Sequence, residues 1–163
     1  MVLQILDWKF DVDLARTMRY SALEAEGHCI CSYCRNFYGV VDTVCPQMRP
    51  FMAQFGVDVE APETLFPYDV DQKMVYEGEY LVFGSILQEG SGAIAVGDTV
   101  VFPLGETDDD MEQPHFRLSF EHLVAPWVLQ EPMEDVISTA NDPDFLKVMQ
   151  DRLLNRANDT DFQ

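Results

Sequence analysis

Positive charge is what this chain has least of. Ten Lys and Arg stand against 29 Asp and Glu in 163 residues, a formal net charge of −19. The shortage is sharpest between Pro50 and Phe116, where 14 acidic residues face a single cation, Lys73. Such a surface repels phosphate backbones and anionic lipid, so nucleic acid and membrane surfaces are excluded as expected partners. A basic protein is the partner that charge would attract, with an association that slows as salt screens it.

Long apolar runs are also missing, since nothing approaches the roughly 20 residues of a membrane span. The opening Met1-Val2-Leu3-Gln4-Ile5-Leu6-Asp7-Trp8 carries no basic leader. The expectation is a cytoplasmic protein. Phosphate-loop, dinucleotide-binding, zincin and nucleophile-elbow motifs are absent, which removes the usual sequence support for an enzyme without settling the question. Asp108-Asp109-Asp110 lacks the alternating ligands and central Gly of a calcium loop and reads as a solvated charge run. Asp69 with Asp71, and Glu77 with Glu79, fall on one face of a strand. Acid/base work would need one of them desolvated, which their polar context does not suggest.

What is present is core-forming material: 47% hydrophobic residues, with 11 Phe and 6 Tyr. That is enough for one domain, placed over 1–157 with 158–163 as a frayed tail, to bury a core without disulfides. The reading is α+β: an antiparallel, meander-like sheet of about five or six strands with two or three helices packed against it. Val2, Leu6, Trp8, Phe10 and Val12 alternate with Leu3, Ile5, Asp7, Lys9, Asp11 and Asp13 as in one strand. Residues 14–27 are poorly patterned and suggest no more than a helical turn ended by Gly27.

Over 32–56, Phe37, Val40, Val41, Val44, Met48, Phe51, Met52 and Phe55 recur at helical intervals. Pro46 and Pro50 split this stripe into one helix to about 44 and another from about 46, with Gly56 as the stop. An acidic connector over 57–71 leads to candidate strands at 74–76, 79–88, 93–96, 99–103 and 116–124. Glu77-Gly78, Gly90-Ser91-Gly92 and Gly97-Asp98 serve as hairpin connections. Residues 105–114 read as a loop. Asp142-Pro143 opens a short amphipathic helix with Phe145, Val148, Met149 and Leu153 on one face. Tyr76, Tyr80, Phe83 and Trp127 fit either a ligand pocket or the core.

The chemical signal is His28-Cys29-Ile30-Cys31-Ser32-Tyr33-Cys34, where C-x-C overlaps C-x-x-C. A C-x-x-C turn aims two thiolates at one ion, and zinc asks for four N or S ligands in a tetrahedron. Cys29, Cys31 and Cys34 therefore lack one partner. Cys45 lies 11 residues beyond Cys34, about 16 Å along a continuous helix, which places it in or near the core. His28 would need a cramped geometry beside Cys29. His115 and His122 have odd spacing and face opposite sides of one strand. His122 shares its face with Phe116, Leu118 and Phe120, so it is the candidate fourth ligand, against the plainer reading of a hydrogen-bonded core histidine. Two alternatives stand beside zinc. The cysteines can be reduced, partly buried apolar side chains, or a redox pair with Cys34 activated by a helix N-terminus and Arg35.

Two functional readings result. The first is a non-catalytic interaction protein, in its sharpest form an inhibitor-type partner of a basic protein. The second is a zinc-binding protein using Cys29, Cys31 and Cys34.

Overall fold

The computed structural model describes residues 1–70, 73–105 and 111–133. The helix expected after Asp142, the 158–163 tail and Asp108 to Asp110 lie outside them.

The alternating N-terminal segment is two strands rather than one, β1 (Val2–Ile5) and β2 (Trp8–Val12), paired antiparallel with Ile5 opposite Trp8. Leu6 turns the corner at φ 54°. Folding the segment back explains why Trp8, Phe10 and Val12 are buried while Val2 and Leu6 are exposed, although all five fit one period-2 pattern.

Residues 14–27 form more than a turn: α1 (Leu14–Glu26) is a full helix. The Asp13 carboxylate accepts from the Arg16 N–H at 3.1 Å as an N-cap. Its buried positions are Thr17 and Ser21, four residues apart and polar, so no apolar stripe announces it. The Thr17 hydroxyl accepts from the Phe83 N–H at 3.0 Å, and that of Ser21 accepts from the Asp58 N–H at 2.7 Å. The helix is docked through hydroxyls that satisfy backbone donors.

The helical stripe over 32–56 divides as its prolines require, into α2 (Ser32–Val44) and α3 (Met48–Ala53), with Gly56 in the following turn at φ 81°. The acidic connector hides β3 (Thr64–Val70), whose residues are half-buried throughout apart from Val70 and so show no alternation. Next come β4 (Lys73–Gln88), β5 (Ile94–Val96), β6 (Thr99–Leu104) and β7 (His115–Ala125). The sheet is antiparallel, ordered β1-β2-β4-β7-β6-β5, with β3 also paired to β4. Gly97-Asp98 is the hairpin expected between β5 and β6, with Gly97 at φ 61°.

Glu77-Gly78 is not a turn. β4 runs through it unbroken for 16 residues, pairing with β3 and β7 over its first part and with β2 near its end. Gly78 is needed for closeness: a Cβ there would lie 2.5 Å from the Thr64 carbonyl oxygen and 2.9 Å from the Phe120 ring. Gly84, at φ 143°, marks where β4 meets β2, and a Cβ there would stand 2.0 Å from the Asp11 carbonyl oxygen. Gly84→Ala is expected to cost about 1–3 kcal/mol, the range of overpacking, as an earlier midpoint in urea unfolding. An unchanged midpoint would show that β2 and β4 do not approach this closely.

The core lies between one sheet face and α2 with α3. Phe10 packs on Phe55 and Phe116 with ring centres 5.1 and 5.4 Å apart, and Phe37 on Tyr76 and Phe120 at 5.3 and 5.7 Å. Tyr76 and Tyr80 are fully buried core residues, their hydroxyls donating to the carbonyls of Tyr33 (2.9 Å) and Val59 (2.7 Å). No helix among the described residues is long and apolar enough to cross a membrane.

Candidate metal centre

The sulfurs of Cys29, Cys31 and Cys34 lie within 4.8 Å of one another, a group that can hold a metal ion. Local structure brings them together. Cys31 is the N-cap of α2, with extended backbone (φ −61°, ψ 161°), and Cys34 is three residues into the helix. Cys29 precedes them in a short irregular segment that folds back over the same helix end. Four residues beyond Cys34, Tyr38 lies on the same side of α2, since helical side chains lean toward the N-terminus. Its hydroxyl donates to the Cys29 carbonyl at 3.0 Å and ties the loop to the helix.

The thiols are not equivalent. Cys29 and Cys31 are exposed and Cys34 is buried. The Cys31 backbone N–H, with smaller help from the Cys31 and Cys34 side chains, holds the Cys29 thiol below its ordinary value. Burial pushes the Cys34 thiol well above its ordinary value, and the two neighbouring thiols add to the effect. Burial likewise raises the Tyr38 hydroxyl, with the thiols contributing. Arg35 does not activate Cys34: its guanidinium donates to the Ile30 carbonyl at 2.8 Å and pairs with Glu131.

These shifts give a signed prediction for the metal-free protein. A thiol raised on folding contributes stability that is present below its ordinary value near 9 and is lost as pH climbs above it. Cys29 is shifted the other way, so its contribution is constant in that range and fades only as pH falls through its folded value. Urea unfolding across alkaline pH should therefore lose up to about 1.4 kcal/mol per pH unit from Cys34. Cys34→Ala should remove that share of the slope, most plainly between pH 9 and 10 before the raised tyrosines contribute theirs, and an equal slope there in both proteins would contradict the burial assigned to Cys34.

A cleft of about 260 Å³ opens at the sulfurs, walled by Tyr33, Tyr38, Pro62, Glu63, Leu65 and Pro67. Glu63 is clamped by Arg117 through two contacts of 2.8 and 2.9 Å, so both of its carboxylate oxygens are already paired with a cation.

His122 is not brought to the cluster. At β7 a bulge sets Glu121 and His122 against the single residue Glu77, between the pairs Tyr76–Leu123 and Gly78–Phe120. His122 takes φ 64°, and beyond it the alternation is displaced by one residue. Leu123 goes inward and His122 is exposed. The expectation of an inward face with Phe116, Leu118 and Phe120 fails because a two-residue period does not survive a bulge. Cys45 is in the core, 2% exposed, its thiol donating to the Val96 carbonyl at 3.2 Å. The carboxylates of Glu77 and Glu121 are both desolvated, each residue 2% exposed, against the expectation of a solvated Glu77.

Sequence reasoning missed Tyr38, Glu63 and the cleft. Tyr38 had a readable signal, since Cys31, Cys34 and Tyr38 follow the 0, 3, 7 spacing of one helix face. Glu63 reaches the site only through the pairing of β3. No protein-family model, no curated protein and no solved structure matches this chain.

Proposed function

We propose that the protein is a zinc-binding protein whose site is formed by Cys29, Cys31 and Cys34 and whose metal braces the loop before α2 against the helix. The observation that carries this reading is the convergence of three sulfurs within 4.8 Å at a helix N-terminus. Backbone N–H groups unsatisfied within the first helical turn favour negative charge there, and three thiolates supply it. The ion offsets most of that charge in turn, leaving a net charge of about −1 for the set of three thiolates and one divalent cation. Such a sulfur-rich set belongs to structural zinc sites more than to hydrolytic ones, which rely on histidine and carboxylate to keep the metal a strong Lewis acid. A thiol-redox role has less support, because Cys34 is buried with its thiol form favoured and Arg35 is engaged elsewhere.

The test is native mass spectrometry of the reduced protein with and without a strong chelator, paired with a thiol count. One zinc per chain with three thiols protected from alkylation is the expected result. A chain that stays metal-free in excess zinc, with the exposed thiols of Cys29 and Cys31 alkylating as fast with zinc as with chelator, would remove the reading.

A basic protein partner is a second reading, carried by the charge of −19 and the 14-to-1 imbalance from Pro50 to Phe116. Its expected signature is an association rate that drops steeply with ionic strength.

A further inference from the structure

We infer that His28 is the fourth ligand of the metal, making the site Cys3His. This rests on the zinc reading above and deepens it. Three thiolates leave one tetrahedral position, and structural zinc sites fill it with a side chain. Among the three histidines, His122 is exposed beyond the β7 bulge, and His115 is buried in β7 beside the Arg117 guanidinium, its Nδ1 3.1 Å from the Glu112 carbonyl. His28 directly precedes Cys29.

Its ring lies parallel to that of Tyr38, with centres 4.2 Å apart and planes 9° apart. Tyr38 is the residue whose hydroxyl donates to the Cys29 carbonyl and which walls the cleft with Cys29, Cys31 and Cys34, so His28 is stacked on a wall of the cluster. The imidazole is also held in the tautomer a ligand needs. Its Nδ1 is 3.2 Å from the Glu60 carbonyl. A carbonyl only accepts, so Nδ1 carries the proton, and in the neutral ring Nε2 then keeps its lone pair. A backbone carbonyl on the far nitrogen is the usual support for a metal-bound histidine, fixing the tautomer and raising the basicity of the coordinating nitrogen.

In the metal-free protein His28 is not among the atoms gathered within 4.8 Å. Residues 28–30 lie between α1 and α2 outside any helix or strand, with the His28 N–H donating to the Ala25 carbonyl at 3.4 Å. With the His28 ring kept on Tyr38 and on the Glu60 carbonyl, the side chains that adjust to bring the ion to Nε2 are those of Cys29 and Cys31, both exposed, while α2 stays in place. The cramped geometry expected of adjacent ligands is relieved because Cys29 and His28 would meet the metal from a loop rather than from one rigid helix.

The deciding experiment is long-range proton–nitrogen NMR of the histidine rings during titration with zinc, beside native mass spectrometry of the same samples. The expected result is a metal-dependent shift of Nε2 in one histidine, lost in His28→Asn. That variant should also release zinc to a chelator about tenfold faster or more, the minimum scale for disturbing a metal's supporting shell. His122→Ala should release zinc at the unaltered rate, and a matching metal-free melting curve for His28→Asn would exclude misfolding. One zinc per chain with no histidine shift would overturn the assignment of His28 while leaving the three-cysteine site standing. Faster release from His122→Ala instead of His28→Asn would overturn it as well. Absence of bound zinc would remove the three-cysteine reading itself, and this inference with it.

Discussion

At free zinc about 100 times its dissociation constant, the protein is expected to gain about 2.7 kcal/mol of unfolding free energy, and about 4 kcal/mol at 1,000 times. For a chain of this size each kcal/mol moves the melting midpoint by roughly 2–4 °C, so chelation should lower it by about 5–15 °C. Cys31→Ser should abolish the difference between zinc-loaded and chelated samples, because the N-cap thiol stands between the other two in sequence and a hydroxyl is a poor zinc ligand. The metal-free midpoint of the variant should stay close to that of the parent, since Cys31 is exposed and makes no side-chain cap bond. A chelator that shifts nothing, or shifts the variant equally, would contradict a structural metal at this site. The magnitude depends on the unfolded chain binding zinc poorly, and three thiols within six residues offer it some residual affinity, so the measured shift should fall at or below this range.

The fold was legible where burial is continuous and obscure where polar groups do the docking. The split of 32–56 into two helices follows from proline chemistry alone, and Gly97-Asp98 follows from the demands of a tight hairpin. By contrast α1 buries hydroxyls, and β3 is half-exposed on both faces for most of its length, so neither carries a period that a hydrophobic reading can detect. Gly78 and His122 were misread for one reason. Both sit where β4 and β7 change register, and a close approach or a bulge cannot be seen without the partner strand. The candidate site was legible in its sulfurs because their spacing is local. Its surroundings were not, because Glu63, Glu60 and Pro62 arrive from a segment some thirty residues away. The charge imbalance, plain in the sequence, concerns association rather than fold.

Phe37→Ala is expected to cost about 3–5 kcal/mol, the range for removing a buried phenylalanine. Phe37 is fully buried on α2, three residues beyond Cys34, where its ring meets Tyr76 and Phe120 on the sheet. Asn36, next to it and also fully buried, donates to the Tyr76 hydroxyl at 3.0 Å and to the Pro126 carbonyl at 3.1 Å, and accepts from the Val128 N–H at 2.8 Å. These polar contacts orient α2, but they cannot refill the space a phenyl ring leaves. The cost should appear in urea unfolding of the chelated protein, and a loss below about 1 kcal/mol would mean that α2 is not seated on the sheet through this ring. Zinc should return a similar increment to parent and variant, because mass action depends on the affinity of the folded state and the first turn of α2 is held independently by Tyr38 and the loop. If zinc returned much less to Phe37→Ala, the seating of α2 in the core and the placement of the three sulfurs would be one cooperative unit. The double-mutant cycle with Cys31→Ser measures that coupling directly.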